Sequence, residues 1–429
     1  MAKLGLIVVD PGHFHAALAQ KEMYENVAEL VHVYAPVGPD LVDYLTRIAR
    51  FNTRAEAPTR WRLEIHAGGD FLDRMAREKP GDVAIFAGRN NEKISAIARA
   101  VEAGLHVLAD KPMIVRRADL STFGAVIDVA AAKGLVVLDM MGGRQEITRS
   151  LTRLLHADRE IFGEQTPGSP AEPGVEMTSV HHLMKMVSGV PNPRPPWYFD
   201  VRQQGDALAD IGTHLVDRVH GTLFPDEVLD YRRDIAIGAV RRWPTMMDLA
   251  QFRQVTGEMD WPDYLGAAVA GGTLSYQCNT HLDYAVRGVH VGLDMVWEWL
   301  EPAGGGDTHT ETWRGTRARI ELRHGPAEGW RPQLYVVPLG DIGAALERRI
   351  MALAETRPGL GLERQGGEWR IVIPDGLRIG HDAHFRELTR NFLAHVEAPG
   401  SLPAWETQNL IAKYYVTTAA EAAEREPAR

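Results

Sequence analysis

The sequence predicts a mixed α/β protein in two parts: a doubly wound parallel sheet, then an α/β domain with a large, mostly antiparallel open sheet. Three observations predict it. Short apolar runs alternate with helical patterns from Lys3 to about Arg144, as they do when a parallel sheet is covered on both faces. After Arg144 the texture changes to strand-like pieces, Trp-rich and Gly-rich loops and few long helices. The 429 residues exceed one domain at about 100–200 residues each.

The first part is expected to carry six strands, at 4–9, 30–35, 63–66, 83–87, 106–109 and 135–139. Ile94, Ile97, Ala98 and Val101 repeat at helical spacing before Gly104, a residue suited to ending a helix. The segment 36–60 is longer than an ordinary connection, and Leu41, Leu45 and Ile48 give it a helical pattern. In the second part, 175–180, 272–277, 286–297, 310–314, 317–322 and 368–373 read as strands. Phe385, Leu388, Phe392 and Val396 mark one late helix and Leu410 and Tyr414 another. The expected domains are 1–145, 146–380 and a helical tail, 381–429, that packs back on the first.

Composition narrows the function. A hydrophobic fraction of 45% and a charged fraction of 24% are those of a globular protein with a sizeable core. Net charge is −10 with no dense basic run, so nucleic acid is not an expected partner. The first apolar run is too short for a signal peptide, and no run of about 18 apolar residues exists to cross a membrane. A cytoplasmic location is expected. Cys278, the only cysteine, agrees with a reducing compartment.

Two motifs carry the chemistry. Asp110-Lys111-Pro112 closes the fifth strand, at the end where doubly wound sheets present ligand-binding groups. Asp210-Ile211-Gly212-Thr213-His214-Leu215-Val216-Asp217 follows a hundred residues later, and its spacing predicts Asp210 and His214 on one helical face. Lysine and histidine are the side chains most readily tuned to take or give a hydroxyl proton. A turn after the first strand, Asp10-Pro11-Gly12-His13-Phe14-His15, stands where a dinucleotide fold shows Gly-x-Gly-x-x-Gly, and it keeps only the middle glycine. No acidic residue ends the second strand to hold ribose hydroxyls; Arg47, Arg50 and Arg54 stand near enough to meet a 2′-phosphate or to form an exposed helix face. NAD is the expected cofactor, with NADP as the alternative. Asp10, Gly12, His13, Phe14, Gly88, Asn90, Asn91, Asp110, Lys111 and Arg144 are the candidate cofactor residues. His181, His182, Lys185 and Trp197, with Asp210 and His214, are the candidate substrate residues, because an aromatic face plus several donors suits a carbohydrate. Histidines number 17, but pairs such as His381-Asp382-x-His384 and Asp307-x-His309 have no recognised ligand spacing, so no metal is expected.

The two motifs resemble the Glu-Lys-Pro and Asp-x-Gly-x-His-x-x-Asp signatures of the Gfo/Idh/MocA oxidoreductases, over nearly the whole chain. The turn Asp-Pro-Gly-His-Phe-His-Ala-Ala-Leu with Ser179-Val180-His181-His182 resembles a subgroup with its own C-terminal domain type. The resemblance implies a Rossmann domain, a second domain whose open sheet forms a homo-oligomer (dimer or tetramer), and NAD(P)-dependent oxidation or reduction of a sugar, glycoside or polyol. It also implies Lys111, Asp210 and His214 as catalytic positions. Three alternatives are a redox-neutral cycle of transient oxidation with elimination, epimerisation or glycosidic cleavage, a metal-dependent enzyme, and a ligand sensor that keeps the fold.

Overall fold

The computed structural model describes residues 3–187, 190–191 and 193–425. Ser188, Gly189 and Asn192 lie outside the described residues. Two compact units form. The first comprises Met1–Gly142, Arg202–Gly205 and Gly380–Thr418; the second comprises Gly143–Val201, Asp206–Ile379 and Ala419–Arg429.

The first unit holds β1 (Leu4–Val9), β2 (Val27–Ala35), β3 (Arg62–Ala67), β4 (Val83–Phe86), β5 (His106–Ala109) and β6 (Val137–Asp139). All pair in parallel, in the order β3-β2-β1-β4-β5-β6. The helices are α1 (His15–Leu18), α2 (Pro39–Thr53), α3 (Phe71–Glu78), α4 (Lys93–Glu102) and α5 (Leu120–Ala132). The anticipated helical insertion is α2. β1, β4 and β5 are almost wholly apolar because parallel strands bury both faces.

This core is completed from far along the chain. The helix His381–Glu397 contributes Phe385, Phe392, Leu393 and Val396 to the cluster that contains Leu6, Val8, Val31 and Val33. The helix Ala404–Thr417 places Tyr414 edge-on to Phe123 of α5, with ring centroids 5.3 Å apart. Beneath it Asp139, at the end of β6, receives Lys413 Nζ at 2.8 Å and the Tyr414 hydroxyl at 2.6 Å. Lys413 and Asp139 are both buried, and a buried ion survives only when paired.

The second unit is built on β7 (Val175–Met184), β10 (Ile235–Asp248), β12 (Thr273–Val286), β13 (Val289–Leu300), β14 (Thr308–Arg314), β15 (Ala318–Arg323), β16 (Gln333–Pro338), β17 (Gly361–Gln365) and β18 (Glu368–Val372), with the short β11 (Val269–Ala270) beside β12. A separate two-strand ladder joins β8 (Met186–Val187) to β9 (Val190–Pro191). The large sheet runs β10-β12-β13-β7-β14-β15-β16-β18-β17 and is antiparallel except where β13 and β7 pair in parallel. Four of its strands, β10, β11, β16 and β17, go beyond the sequence expectation. β10 is long but carries Arg241, Arg242, Trp243 and Pro244 on a half-exposed run, so its alternation is blurred. β12 continues nine residues past the expected end, through Asn279, Thr280 and His281, because polar residues are tolerated where their partners are supplied: Asn279 Nδ2 donates to Thr245 Oγ1 and its Oδ1 accepts from Trp297 N. Among the described residues no helix is long and apolar enough to cross a membrane.

Lys413→Met should lower the unfolding free energy by about 3–5 kcal/mol, since it leaves the Asp139 carboxylate buried without its cation. Urea denaturation followed by circular dichroism measures this, and an unchanged midpoint would mean that the pair contributes nothing.

Candidate functional site

In the first unit the candidate residues gather along the carboxyl edge of the sheet. Asp10 follows β1 with φ of 46°, the left-handed conformation that a glycine ordinarily supplies. Its carboxylate lies against Gly88, where an added Cβ would also fall 2.5 Å from the Asp10 carbonyl oxygen, so only glycine fits. Burial pushes the Asp10 carboxyl up, while Arg89 opposes the shift. The turn is closed by its own amides: Gly12 N donates to Asp10 O at 2.8 Å and His13 N to Ala87 O at 2.7 Å. Phe14 precedes α1 and stacks at a tilt on His13, 4.4 Å between centroids.

Asp110 follows β5 and lies between two imidazoles. His13 Nδ1 lies 2.7 Å from Oδ2 and His15 Nδ1 2.8 Å from Oδ1. Burial alone would raise this carboxyl, but His15 and His13 beside it hold it well below the usual range. His15, at the place of the third glycine, is buried and packs on Phe385 at 4.4 Å. Lys93, the first residue of α4, is buried and donates to Asp110 O at 2.9 Å, Pro112 O at 3.1 Å and Asn90 Oδ1 at 2.5 Å. It therefore grips the backbone on both sides of Lys111. Asn90 is taken up in the same way, its Nδ2 donating to Gln204 O at 2.8 Å and Gln204 Oε1 at 3.0 Å. Asn91 follows in the bend before α4. Arg47 pairs with Asp43 at 2.7 Å, and Arg54 donates to Lys21 O and Ala57 O at 2.7 Å, which commits both to the α2 region.

Asp210, His214 and Arg144 belong to the second unit. The motif does not form one uninterrupted helix: Asp210 ends the helix Ala207–Asp210 and His214 lies in the first turn of Gly212–Leu223. Two local causes tighten the chain at Ile211. The Thr213 hydroxyl donates back to Asp210 O at 2.8 Å, and Gly212 sits so close to the sheet that an added Cβ would meet Leu208 Cδ1 at 2.7 Å and Met295 Sδ at 3.0 Å. Asp210 accepts from the Tyr198 hydroxyl at 3.0 Å, and burial together with the Asp210 charge drives that phenol well above its ordinary value. Asp217, the last residue of the motif, is buried and binds Arg144 NH2 at 2.6 Å and Arg149 NH1 at 2.8 Å. Arg144 is thus an anchor within this unit.

His181, His182 and Lys185 converge on Asp307. His181 Nδ1 is 3.0 Å and His182 Nδ1 3.2 Å from its oxygens, and Lys185 Nζ pairs with Oδ2. Burial pushes His181 down in spite of Asp307 and Asp210. His181 leans on Trp297 at 5.1 Å, and Arg194 lies over both Tyr198 at 4.6 Å and Trp297 at 4.8 Å. Trp197 is buried. Arg194 and Trp297 carry no signal in the sequence, because neither lies in a motif; Asp307 stands out there only for its neighbour His309. Nearby in the fold, Glu311 is fully buried with Arg218 Nε at 2.6 Å and His309 Nε2 at 2.5 Å. Burial would raise it; Arg218 and His309 hold it down to about 2.

Comparison with known proteins adds the family. Residues 151–425 match the family model "Putative oxidoreductase C terminal domain". A crystal structure of a "putative oxidoreductase" from Parabacteroides merdae is 41% identical, covers 98% of this chain and 97% of its own, and superposes with a TM-score of 0.95. The chain belongs to this oxidoreductase family. Two more distant structures share the fold. GenD2 from gentamicin A biosynthesis, in complex with NAD, is 16% identical over 99% of this chain and 95% of its own, TM-score 0.59. KijD10, a 3-ketoreductase from Actinomadura kijaniata in complex with NADP and TDP-benzene, is 15% identical over 98% of this chain and 97% of its own, TM-score 0.56. No curated protein matches the chain. As the resemblance implied, the chain carries an oxidoreductase C-terminal domain of its own type, and the two distant structures share its fold.

Two outcomes follow from this geometry. Because the Glu311 carboxyl is held below its ordinary 4.5 at about 2, its stabilising effect is complete above pH 4.5 and is lost as pH falls toward 2. Glu311→Gln should flatten acid unfolding across that window, as read by the pH dependence of the melting temperature. Gly88→Ala should cost roughly 1–3 kcal/mol by forcing Asp10 aside, and a wild-type urea midpoint would refute the close contact.

Proposed function

We propose that the protein is an NAD(P)-dependent oxidoreductase that transfers a hydride between nicotinamide and a ring hydroxyl or keto group of a sugar, glycoside or polyol. The observation that carries this reading is the strand order of the first sheet together with Lys111, held at the C-terminal end of β5 by the two carbonyl bonds of Lys93. The order reverses between β1 and β4, and open α/β sheets bind ligands at such a switch point.

The edge fits a dinucleotide in that order, in the left-handed Asp10 and in the glycines Gly12 and Gly88. Gly12, His13, Phe14 and Gly88 would hold its phosphates and ribose, with Asn90 and Asp110 bracing them from behind. When bound, the nicotinamide supplies the hydride acceptor or donor. His214 accepts the hydroxyl proton during oxidation and returns it during reduction. Lys111, in the first unit, is the group that can donate a hydrogen bond to a substrate oxygen and stabilise negative charge building there. Asp210, tied to Tyr198, orients the imidazole. In the second unit His181, Trp297 and Tyr198 offer a donor beside aromatic faces, which suits the mixed polar and apolar surface of a sugar. GenD2 with NAD and KijD10, a 3-ketoreductase with NADP and TDP-benzene, support a nicotinamide cofactor and a sugar-like substrate.

The irregular turn, with His15 buried at the place of the third glycine, favours one second reading, in which a tightly held cofactor is oxidised and restored within each turnover and the substrate leaves eliminated, epimerised or cleaved.

Protein purified without added cofactor, denatured and analysed by mass spectrometry should release NAD(H) or NADP(H), or else bind one of them on titration; failure of both defeats the proposal. With a panel of neutral sugars and glycosides, accumulation of NADH marks a dehydrogenase, and turnover without it marks the closed cycle. Lys111→Met should lower kcat by about 10²–10⁴-fold and leave dinucleotide affinity within a few-fold; equal kcat would remove Lys111 from the chemistry.

A further inference from the structure

We propose that His13, His15 and Asp110 form a binding site for one divalent transition-metal ion of the zinc class. One ring nitrogen of each imidazole and a carboxylate oxygen of Asp110 lie within 4.8 Å of one another. The set joins His13, in the turn after β1, and His15, at the start of α1, to Asp110, the residue after β5, all within the first unit.

Hydrogen bonding alone leaves this cluster incomplete. His15 Nδ1 meets Asp110 Oδ1 at 2.8 Å in good alignment. His13 Nδ1 is 2.7 Å from Oδ2 but out of line, so this buried nitrogen has a close carboxylate and no well-formed hydrogen bond. The two rings stand edge to face, 4.2 Å between centroids, which leaves both Nδ1 atoms directed at one carboxylate. Asp110 is only 4% exposed, so its charge is met by the two imidazoles alone or by an ion bound together with them. The Lys93 ammonium donates to the carbonyl oxygens of Asp110 and Pro112 and to Asn90.

Two imidazole nitrogens and one carboxylate oxygen are a borderline-soft set that suits zinc and its neighbours better than magnesium or calcium. Zinc bonds of about 2.0–2.2 Å at tetrahedral angles keep ligand atoms about 3.3 Å apart. The present contacts are shorter, so the side chains part by roughly half an ångström to admit the ion. The His13 side chain is 31% exposed, which gives the ion a way in and leaves a coordination position open. A second cluster, His32, Glu64 and His66, is a weaker competitor. Its rings already bond each other at 3.3 Å, Arg74 donates to His66 Nδ1 at 3.0 Å, and the Glu64 side chain is 54% exposed.

This inference goes beyond the nicotinamide reading, although His13 and Asp110 also belong to the dinucleotide edge proposed above. The full chain, stripped with a chelator, is titrated with Zn²⁺ by calorimetry and with Co²⁺ by visible absorption. One equivalent should bind, with a d–d spectrum of low-coordinate cobalt and a melting temperature raised by zinc. His13→Gln, on the accessible side, and Asp110→Asn should each weaken binding by about 10–100-fold, while His32→Gln leaves it unchanged. Circular dichroism separates loss of the site from loss of the fold, and His13→Gln remains decisive if Asp110→Asn does not fold. Absence of saturable binding, or binding lost in His32→Gln and kept in His13→Gln, overturns the proposal. A parallel NAD titration of the stripped protein reports on the nicotinamide reading whichever way the metal result falls.

Discussion

Charge burial governs the first unit. Three aspartates, Asp10, Asp110 and Asp139, stand at the carboxyl ends of β1, β5 and β6, and all three are largely removed from water. Each is settled differently. Asp10 is driven toward its neutral form by burial, Asp110 lies between two imidazoles, and Asp139 takes a lysine and a tyrosine from the helix Ala404–Thr417. An uncompensated carboxylate in such a place costs several kcal/mol, on the order of the whole stability margin of a domain. The turn chemistry, the grip of Lys93 and the return of residue 413 to this sheet all answer that constraint.

The second unit meets the same constraint by clustering. Asp217 gathers Arg144 and Arg149, Asp307 gathers His181, His182 and Lys185, and Glu311 gathers Arg218 and His309. In each case one acid organises several bases from different strands or helices, so the positions of the bases depend on the acid. His181 owes its place beside Trp297 partly to Asp307, a residue remote in sequence.

What can be read from the sequence is what is local. β1 and β5 are unbroken apolar runs ended by Asp10-Pro11-Gly12 and Asp110-Lys111-Pro112, and their ends are legible to the residue. Periodicity likewise marks α2 and the late helices. β10 escapes because arginines and a proline interrupt its alternation, and the break at Ile211 escapes because, beside the local bond of Thr213 to Asp210, it involves the close approach of Gly212 to Met295, a contact between distant segments. The same limit applies to the site. Lys111, Asp210 and His214 can be singled out by motif, whereas the convergence of His13, His15 and Asp110 spans ninety-five residues and no spacing rule encodes it.

The late helices of the first unit have a consequence for how the chain is made. Phe385, Phe392, Leu393 and Val396 cover apolar positions of β1 and β2 that have already left the ribosome when residue 142 is added. At about 5–20 residues per second, synthesis of residues 143–379 takes roughly 10–50 s. For that interval the nascent first sheet presents an apolar surface with its own cover not yet translated. The amino-terminal half therefore matures last in one respect, and a chaperone that shields exposed apolar surface on the emerging chain has a defined window in which to act.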